Sequence, residues 1–151
     1  MKQSMSDLVR QLDAIRILTF SDVAALAWAV HAGAGMRWIG CCGNLSERYK
    51  QMIVKPGLGV AGMAVRLGRP YKLDDSALDL EHARQRCPFM VAEKLRSAIS
   101  FPISGKDEPV RGVFLLGRRA NRIYTEACVV EAADILAELT VELSNRYLRQ
   151  Y

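Results

Sequence analysis

Histidine is scarce: His31 and His82 are the only two among 151 residues. The four cysteines, Cys41, Cys42, Cys87 and Cys128, include an adjacent pair but no C-x-x-C spacing. Zinc sites take four well-spaced thiolate or imidazole ligands, and this set offers no such pattern, so neither a metal nor an iron–sulfur cluster is expected. No apolar run reaches the roughly 18 residues of a membrane span. Asp7 and Asp13 fall among the early charges, with no clean apolar segment of a secretion leader. A cytoplasmic protein with reduced thiols is therefore expected. Repeats, linkers and low-complexity stretches are missing too, so residues 1–151 read as one domain.

Apolar residues make up 50% of the chain and charged residues 25%, the balance of a soluble globular domain. The net charge of +5 raises the question of nucleic acid. The basic residues are dispersed among acids, however, and the densest group, Arg118-Arg119 with Arg122, has no helix-turn-helix or RNA-binding aromatic pattern beside it. No nucleic-acid partner is expected; a mildly positive field attracts small anions.

The chain turns on residues 56–75, beginning Pro56-Gly57-Leu58-Gly59-Val60-Ala61-Gly62. Val60, Ala61, Ala64 and Val65 then have helical spacing. Gly68 is placed to cap that helix in the left-handed region, and Pro70 prevents its continuation. Tyr71 to Leu73 reads as a short strand closed by Asp74-Asp75. A turn that feeds a helix start presents free amides at the positive end of the helix dipole, which favours an anion. The plainer alternative is that the glycines only shape a tight turn. A dinucleotide fingerprint needs a buried strand before the glycines, whereas Lys55-Pro56 stand there. A phosphate loop needs a following Gly-Lys-Ser/Thr, which is absent.

Upstream, Ser6 to about His31 reads as one long helix stopped by Gly33 and Gly35, with Leu8, Leu12, Ile15, Val23, Leu26 and Val30 on its stripe; Ser21-Asp22 is an alternative restart of a second helix. Met36 to Cys42 reads as a strand with Met36, Trp38, Gly40 and Cys42 on one face and Arg37, Ile39 and Cys41 on the other. Ser46 to Lys50 is a helical turn and Gln51 to Val54 a strand. Downstream, residues 78–86 carry a thin helical stripe, and Phe89 to Leu95 form a short helix beginning near Pro88. Ser97 to Ile103 is a strand, edge or bulged at Pro102. Residues 105–109 make a hairpin turn, and Val110 to Gly117 is a strand buried on both faces. Arg118 to Tyr124 form a basic loop. The final helix runs from Thr125 to about Arg149, with a stripe through Val129, Ala132, Leu136, Leu139, Leu143 and Tyr147.

The order G-x-G-x-x-G, short helix, Gly68-Arg69-Pro70, short strand and Asp resembles the central signature of GAF domains, small-ligand sensor modules. The flanking elements fall in the same order, so the resemblance covers essentially the whole chain. It implies an α+β fold. A central antiparallel sheet carries the N- and C-terminal helices on one face, and short helices and loops form a ligand pocket on the other. Terminal helices of this family often mediate homodimers.

Finer features carry a finer resemblance: Met36-Arg37-Trp38, Gly43 to Lys50, the glycine motif, Met90 to Leu95 and Gly117-Arg118-Arg119 are similar to the small nitrate-receptor proteins of that family. The resemblance implies a nitrate sensor that modulates a two-component sensor histidine kinase controlling nitrate respiration, without catalysis and without a cofactor other than the ligand. It places the anion among the Trp38 indole N–H and the backbone N–H groups of Val60, Ala61 and Met90. Leu67, Phe89 and Ile99 are the expected apolar walls. The chemistry is compatible, because nitrate is a flat, weakly hydrated monoanion suited to an apolar pocket with several N–H donors. Trp38 also reads as an ordinary core tryptophan.

Other GAF functions stand as alternatives. Free methionine-(R)-sulfoxide reductases of similar length place a cysteine where Ala61 stands, and others shortly before the strand at Ile99, whereas Cys87 lies further upstream. A nucleotide sensor would want a larger polar pocket, and bilin attachment a cysteine next to a histidine. Nucleophilic catalysis is not expected: His31 and His82 read as surface or capping residues, and Asp74-Asp75 as a turn. Cys41 and Cys42 read as packing residues.

Overall fold

The structure is a computed structural model that describes residues 2–29, 35–104, 107–120 and 122–146. The chain starts with helix α1 (Lys2–Leu18) and strands β1 (Val23–Trp28) and β2 (Met36–Cys42). A 3₁₀ turn (Arg48–Gln51) leads to β3 (Ile53–Val54), α2 (Gly59–Leu67) and β4 (Tyr71–Leu73). Helices α3 (Leu80–Gln85) and α4 (Pro88–Ala92), strands β5 (Ser97–Ile103) and β6 (Gly112–Arg118), and helix α5 (Glu126–Arg146) complete it. The six strands form one antiparallel sheet in the order β3-β2-β1-β6-β5-β4.

Two cores lie on opposite faces of this sheet. On one face Leu8, Leu12 and Ile15 of α1 and Ala132, Leu136 and Leu139 of α5 pack against Leu26, Ile99, Phe101, Phe114 and Leu116. On the other, α2 and α4 cover Ala25, Ala27, Trp38, Ala98, Val113 and Leu115. Burying a side chain such as Leu8 or Leu12, each at most 1% exposed, contributes about 1.5–3 kcal/mol. This is the expected α+β arrangement, with the terminal helices on one side and the short helices on the other.

The N-terminal segment departs from expectation. The long helix ends at Leu18, and Val23 to Trp28 form a strand instead of its continuation. The chain reverses through Phe20, whose φ is 54°. A relay of hydroxyls holds the reversal: Thr19 Oγ1 donates to the Ile15 carbonyl (2.7 Å), and its oxygen lies 2.8 Å from that of Ser21, which lies 2.8 Å from Tyr124 Oη. β1 sits between β2 and β6 and is buried at every residue. A strand buried on both faces loses the polar–apolar alternation that would distinguish it from a helix. His31, Gly33 and the end of the expected helix lie outside the described residues.

β2 also differs in its faces. The register with β1 shifts between Leu26 and Ala27, so that Leu26 faces Gly40 while Ala27 faces Trp38. Ile39 is the extra residue of this bulge. As a result Trp38 and Cys41 share the α2 face, while a Cβ at Gly40 would meet Leu8 and Leu12, and Cys42 packs on the α1 side. A strict alternation puts Cys41 and Cys42 on the wrong faces.

Other expectations hold within about three residues. Gly68 ends α2 in the left-handed region at φ 68°. Pro88 occupies the first position of α4, which ends earlier than expected, at Ala92. β6 is buried throughout and runs one residue further, to Arg118. Pro102 lies in the end of β5 that pairs with β6 but extends beyond the reach of β4. Gly105, Lys106 and Tyr147 lie outside the described residues, as does the Leu143 side chain.

Candidate functional site

The glycine stretch folds into a closed loop on the first turn of α2. The Gly57 N–H donates to the Gly62 carbonyl (2.7 Å) and the Leu58 N–H to the Lys55 carbonyl (3.1 Å). A Cβ at Gly62 would lie 2.1 Å from the Lys55 oxygen, so this position excludes any side chain. Gly59, at φ 72°, faces the start of α4: a Cβ there would meet Cys87 Sγ at 3.2 Å. The glycines thus shape a turn and also bring two helix starts together.

Between those starts and strand β2 lies a cavity of about 50 Å³, bordered by Trp38, Leu58, Gly59, Ala61, Cys87 and Phe89 among others. A buried water needs about 10–15 Å³ on this measure, so the space admits a molecule of a few heavy atoms. The rings of Trp38 and Phe89 lie 4.6 Å apart, tilted by 36°. No charged side chain borders the cavity among the described residues. Its polar groups are an indole N–H, a thiol and backbone. The amides of Gly59, Val60 and Ala61 open α2 and have no carbonyl one turn back to bond, and those of Phe89 and Met90 open α4 in the same way.

The expected site residues separate into two groups. Trp38, Ala61 and Phe89 border the cavity; Val60 and Met90, 1% and 0% exposed, pack in the same core without bordering it, and Val60 borders the neighbouring depression described below. Leu67 does not border it: this last residue of α2 is 40% exposed. Ile99 does not either. Its side chain packs in the α1–α5 core, because Ala98 and Ser100, its neighbours along β5, take the α2 face. Both are corrections to the expected walls. Cys87, Leu58 and Met52 supply lining that sequence reasoning did not name. Cys87 was within reach of inference, since the residue before Pro88 caps the helix that proline opens.

A second depression of about 270 Å³ lies across the glycine loop, bordered by Tyr71, Met63, Asp79, His82 and Arg86, and it shares Leu58 and Gly59 with the cavity. His82 is exposed, as expected.

α4 is anchored by a buried carboxylate. Glu93, 1% exposed, accepts from the Leu45 N–H (2.7 Å) and from Arg119 Nη2 (2.9 Å) through Oε1. Arg119 also donates to the carbonyls of Glu93 (2.8 Å) and Gly43 (3.0 Å). Close by, burial and the Glu93 charge push the Cys41 thiol from 9.0 up to about 12. Thiolates are the nucleophilic form, so this shift disfavours the reactive form of Cys41. All four cysteines are free thiols.

No protein-family model and no curated protein matches the chain. Solved structures do. One is NreA from Staphylococcus aureus, mutated in its nitrate binding site: 27% identity, TM-score 0.69, covering 80% of this chain and 89% of that one. A second is the GAF domain of a phosphoenolpyruvate-protein phosphotransferase from Acinetobacter, at 16% identity and TM-score 0.69, covering 94% of this chain and 80% of that one. A third is a type II free methionine-R-sulfoxide reductase from Thermoplasma acidophilum, at 11% identity and TM-score 0.71, covering 97% and 95%. The last two share the fold alone. Sheet order, helix placement and these likenesses together identify the chain as having a GAF-like fold that resembles NreA.

Proposed function

We propose that the chain is a nitrate sensor: it binds nitrate reversibly in the cavity between α2 and α4, and occupancy modulates a sensor histidine kinase of a two-component system controlling nitrate respiration. The observation that carries the reading is a cavity of about 50 Å³ free of charged side chains, at the start of α2 and beside Trp38. A monoanion of four heavy atoms suits that size, and a nucleotide does not. Weak hydration makes its transfer from water inexpensive, so amide and indole donors suffice where a phosphate would want arginine. In this reading Trp38 Nε1 and the N–H groups of Val60, Ala61 and Met90 hold the anion, and Phe89 walls it. No metal, prosthetic group or catalytic residue takes part. The 27% identity to NreA, whose nitrate binding site is named as such, supports the same assignment. The exposed apolar residues Val9 of α1 and Val130 and Val141 of α5 support a reading in which the terminal helices serve self-association or kinase docking.

Calorimetric titration with sodium nitrate, with chloride and nitrite alongside, tests the reading. Saturable one-site binding is expected. Trp38→Ala, which removes a hydrogen bond to a charged ligand worth about 1.5–3 kcal/mol, should weaken it by about tenfold or more. Absence of nitrate heat and of any thermal protection at millimolar nitrate would sink the assignment.

A second reading follows from Cys87, a free thiol on the cavity wall: reduction of free methionine-(R)-sulfoxide, in which the thiol takes the sulfoxide oxygen, releases methionine and is left as a sulfenic acid that an external thiol reductant returns to the free thiol. Turnover of that substrate, abolished in Cys87→Ser, would replace the sensor reading with the reductase.

A further inference from the structure

We propose that Ser100 is a positioning residue of the anion site, orienting and strengthening the Ala61 N–H by donating its hydroxyl to the Val60 carbonyl; this rests on the anion-binding reading above. Ser100 lies inside β5, paired with Tyr71 on one side and Leu115 on the other. It is fully buried, at 0% exposure. A hydroxyl in an apolar core is costly unless bonded, and alanine would fill the place without that cost. Ser100 Oγ donates to the Val60 carbonyl at 2.7 Å, with the Tyr71 carbonyl at 3.3 Å as a weaker neighbour.

The Val60 carbonyl and the Ala61 N–H are the two ends of one planar peptide group. Fixing the oxygen therefore fixes the direction of the hydrogen. Ala61 is the third residue of α2, so its N–H has no acceptor in the helix, and it borders the cavity. Donation to a carbonyl also polarises its peptide, and hydrogen bonds in such chains reinforce each other by about 10–30%. Ser100 thus acts from the sheet on a peptide whose N–H belongs to a residue that borders the cavity. It touches the sheet on one side and the anion-binding peptide on the other, without reaching the anion.

The test compares the wild-type protein with Ser100→Ala, Ser100→Thr and Ser100→Cys. Nitrate affinity is read by calorimetry, anion-free stability by thermal unfolding, and the Ala61 amide by ¹H–¹⁵N correlation spectra. Loss of the donor in Ser100→Ala should weaken nitrate binding about three- to tenfold. Ser100→Thr, which keeps the hydroxyl, should stay within about twofold, and Ser100→Cys, a weaker donor of similar size, should fall between. The anion-free Ala61 amide proton should move upfield in Ser100→Ala and return in Ser100→Thr. A Ser100→Ala protein that is less stable but binds nitrate as the wild type does, with the Ala61 amide unmoved, overturns the proposal and leaves Ser100 a packing residue. If Ser100→Ala does not fold, Ser100→Cys decides by the same two readouts. If the wild type itself gives no nitrate heat, the sensor reading fails and this proposal falls with it.

Discussion

Gly62 is a position where the chain has no latitude. A single added methyl would sit 2.1 Å from the Lys55 oxygen, a backbone atom that moves only if the loop opens. Gly62→Ala should therefore cost about 1–3 kcal/mol in urea unfolding and weaken nitrate binding with it; unchanged stability would mean that the loop is not closed on α2. The glycine spacing and Trp38 made this end of the site readable from sequence, because a turn that needs glycine and a lone indole in a strand are both local features. The Ile99 face was not readable. β5 is buried on nearly every residue, so its side chains give no polar side to mark which face meets α2 and which meets α5. Cys41 and Cys42 were misplaced for another reason: a bulge is a property of the pairing with β1 and leaves no mark in the strand's own residues.

Among the elements, α4 is the one most dependent on its surroundings. Five residues do not sustain a helix alone. The Arg119–Glu93 pair ties its end to the segment after β2, so the two walls that carry Phe89 and Trp38 share one anchor. Arg119→Ala leaves a buried carboxylate without its cation, and the expected loss is about 3 kcal/mol, the low end for such pairs because Arg119 is 28% exposed. An unfolding free energy in urea lowered by less than a third of that would show the pair to be incidental. Glu93→Gln in the Arg119→Ala background should recover part of the loss, since the amide needs no counter-ion. α2, β4 and α4 were visible in sequence through Gly68, Pro70 and Pro88. β1 was not, because Val23-Ala24-Ala25-Leu26-Ala27-Trp28 lies at the centre of the sheet and has no period to reveal it.

For the molecule as a whole, none of the helices among the described residues is long and apolar enough to cross a membrane. Global stability should fall in alkali. Burial raises Cys41 from 9.0 to about 12, and burial with the Glu47 charge raises Tyr49 from 10.0 to about 12. Between those limits the unfolded chain releases protons that the folded chain retains, so stability present below pH 9 is lost as the pH rises toward 12. Cys41→Ala should flatten the urea midpoint between pH 9 and 10.5, and an unchanged slope would count against a buried neutral thiol. The β1–β6 pairing has a further consequence, for the order in which the molecule is made. Val23 faces Gly117, roughly ninety residues away, a loop closure that local hairpins such as β1–β2 do not require. On the ribosome, the β6-facing edge of β1 stays open until residues 112–118 have emerged. The sheet's centre therefore forms last, and folding is expected to be slow and exposed to strand-edge association until β6 arrives.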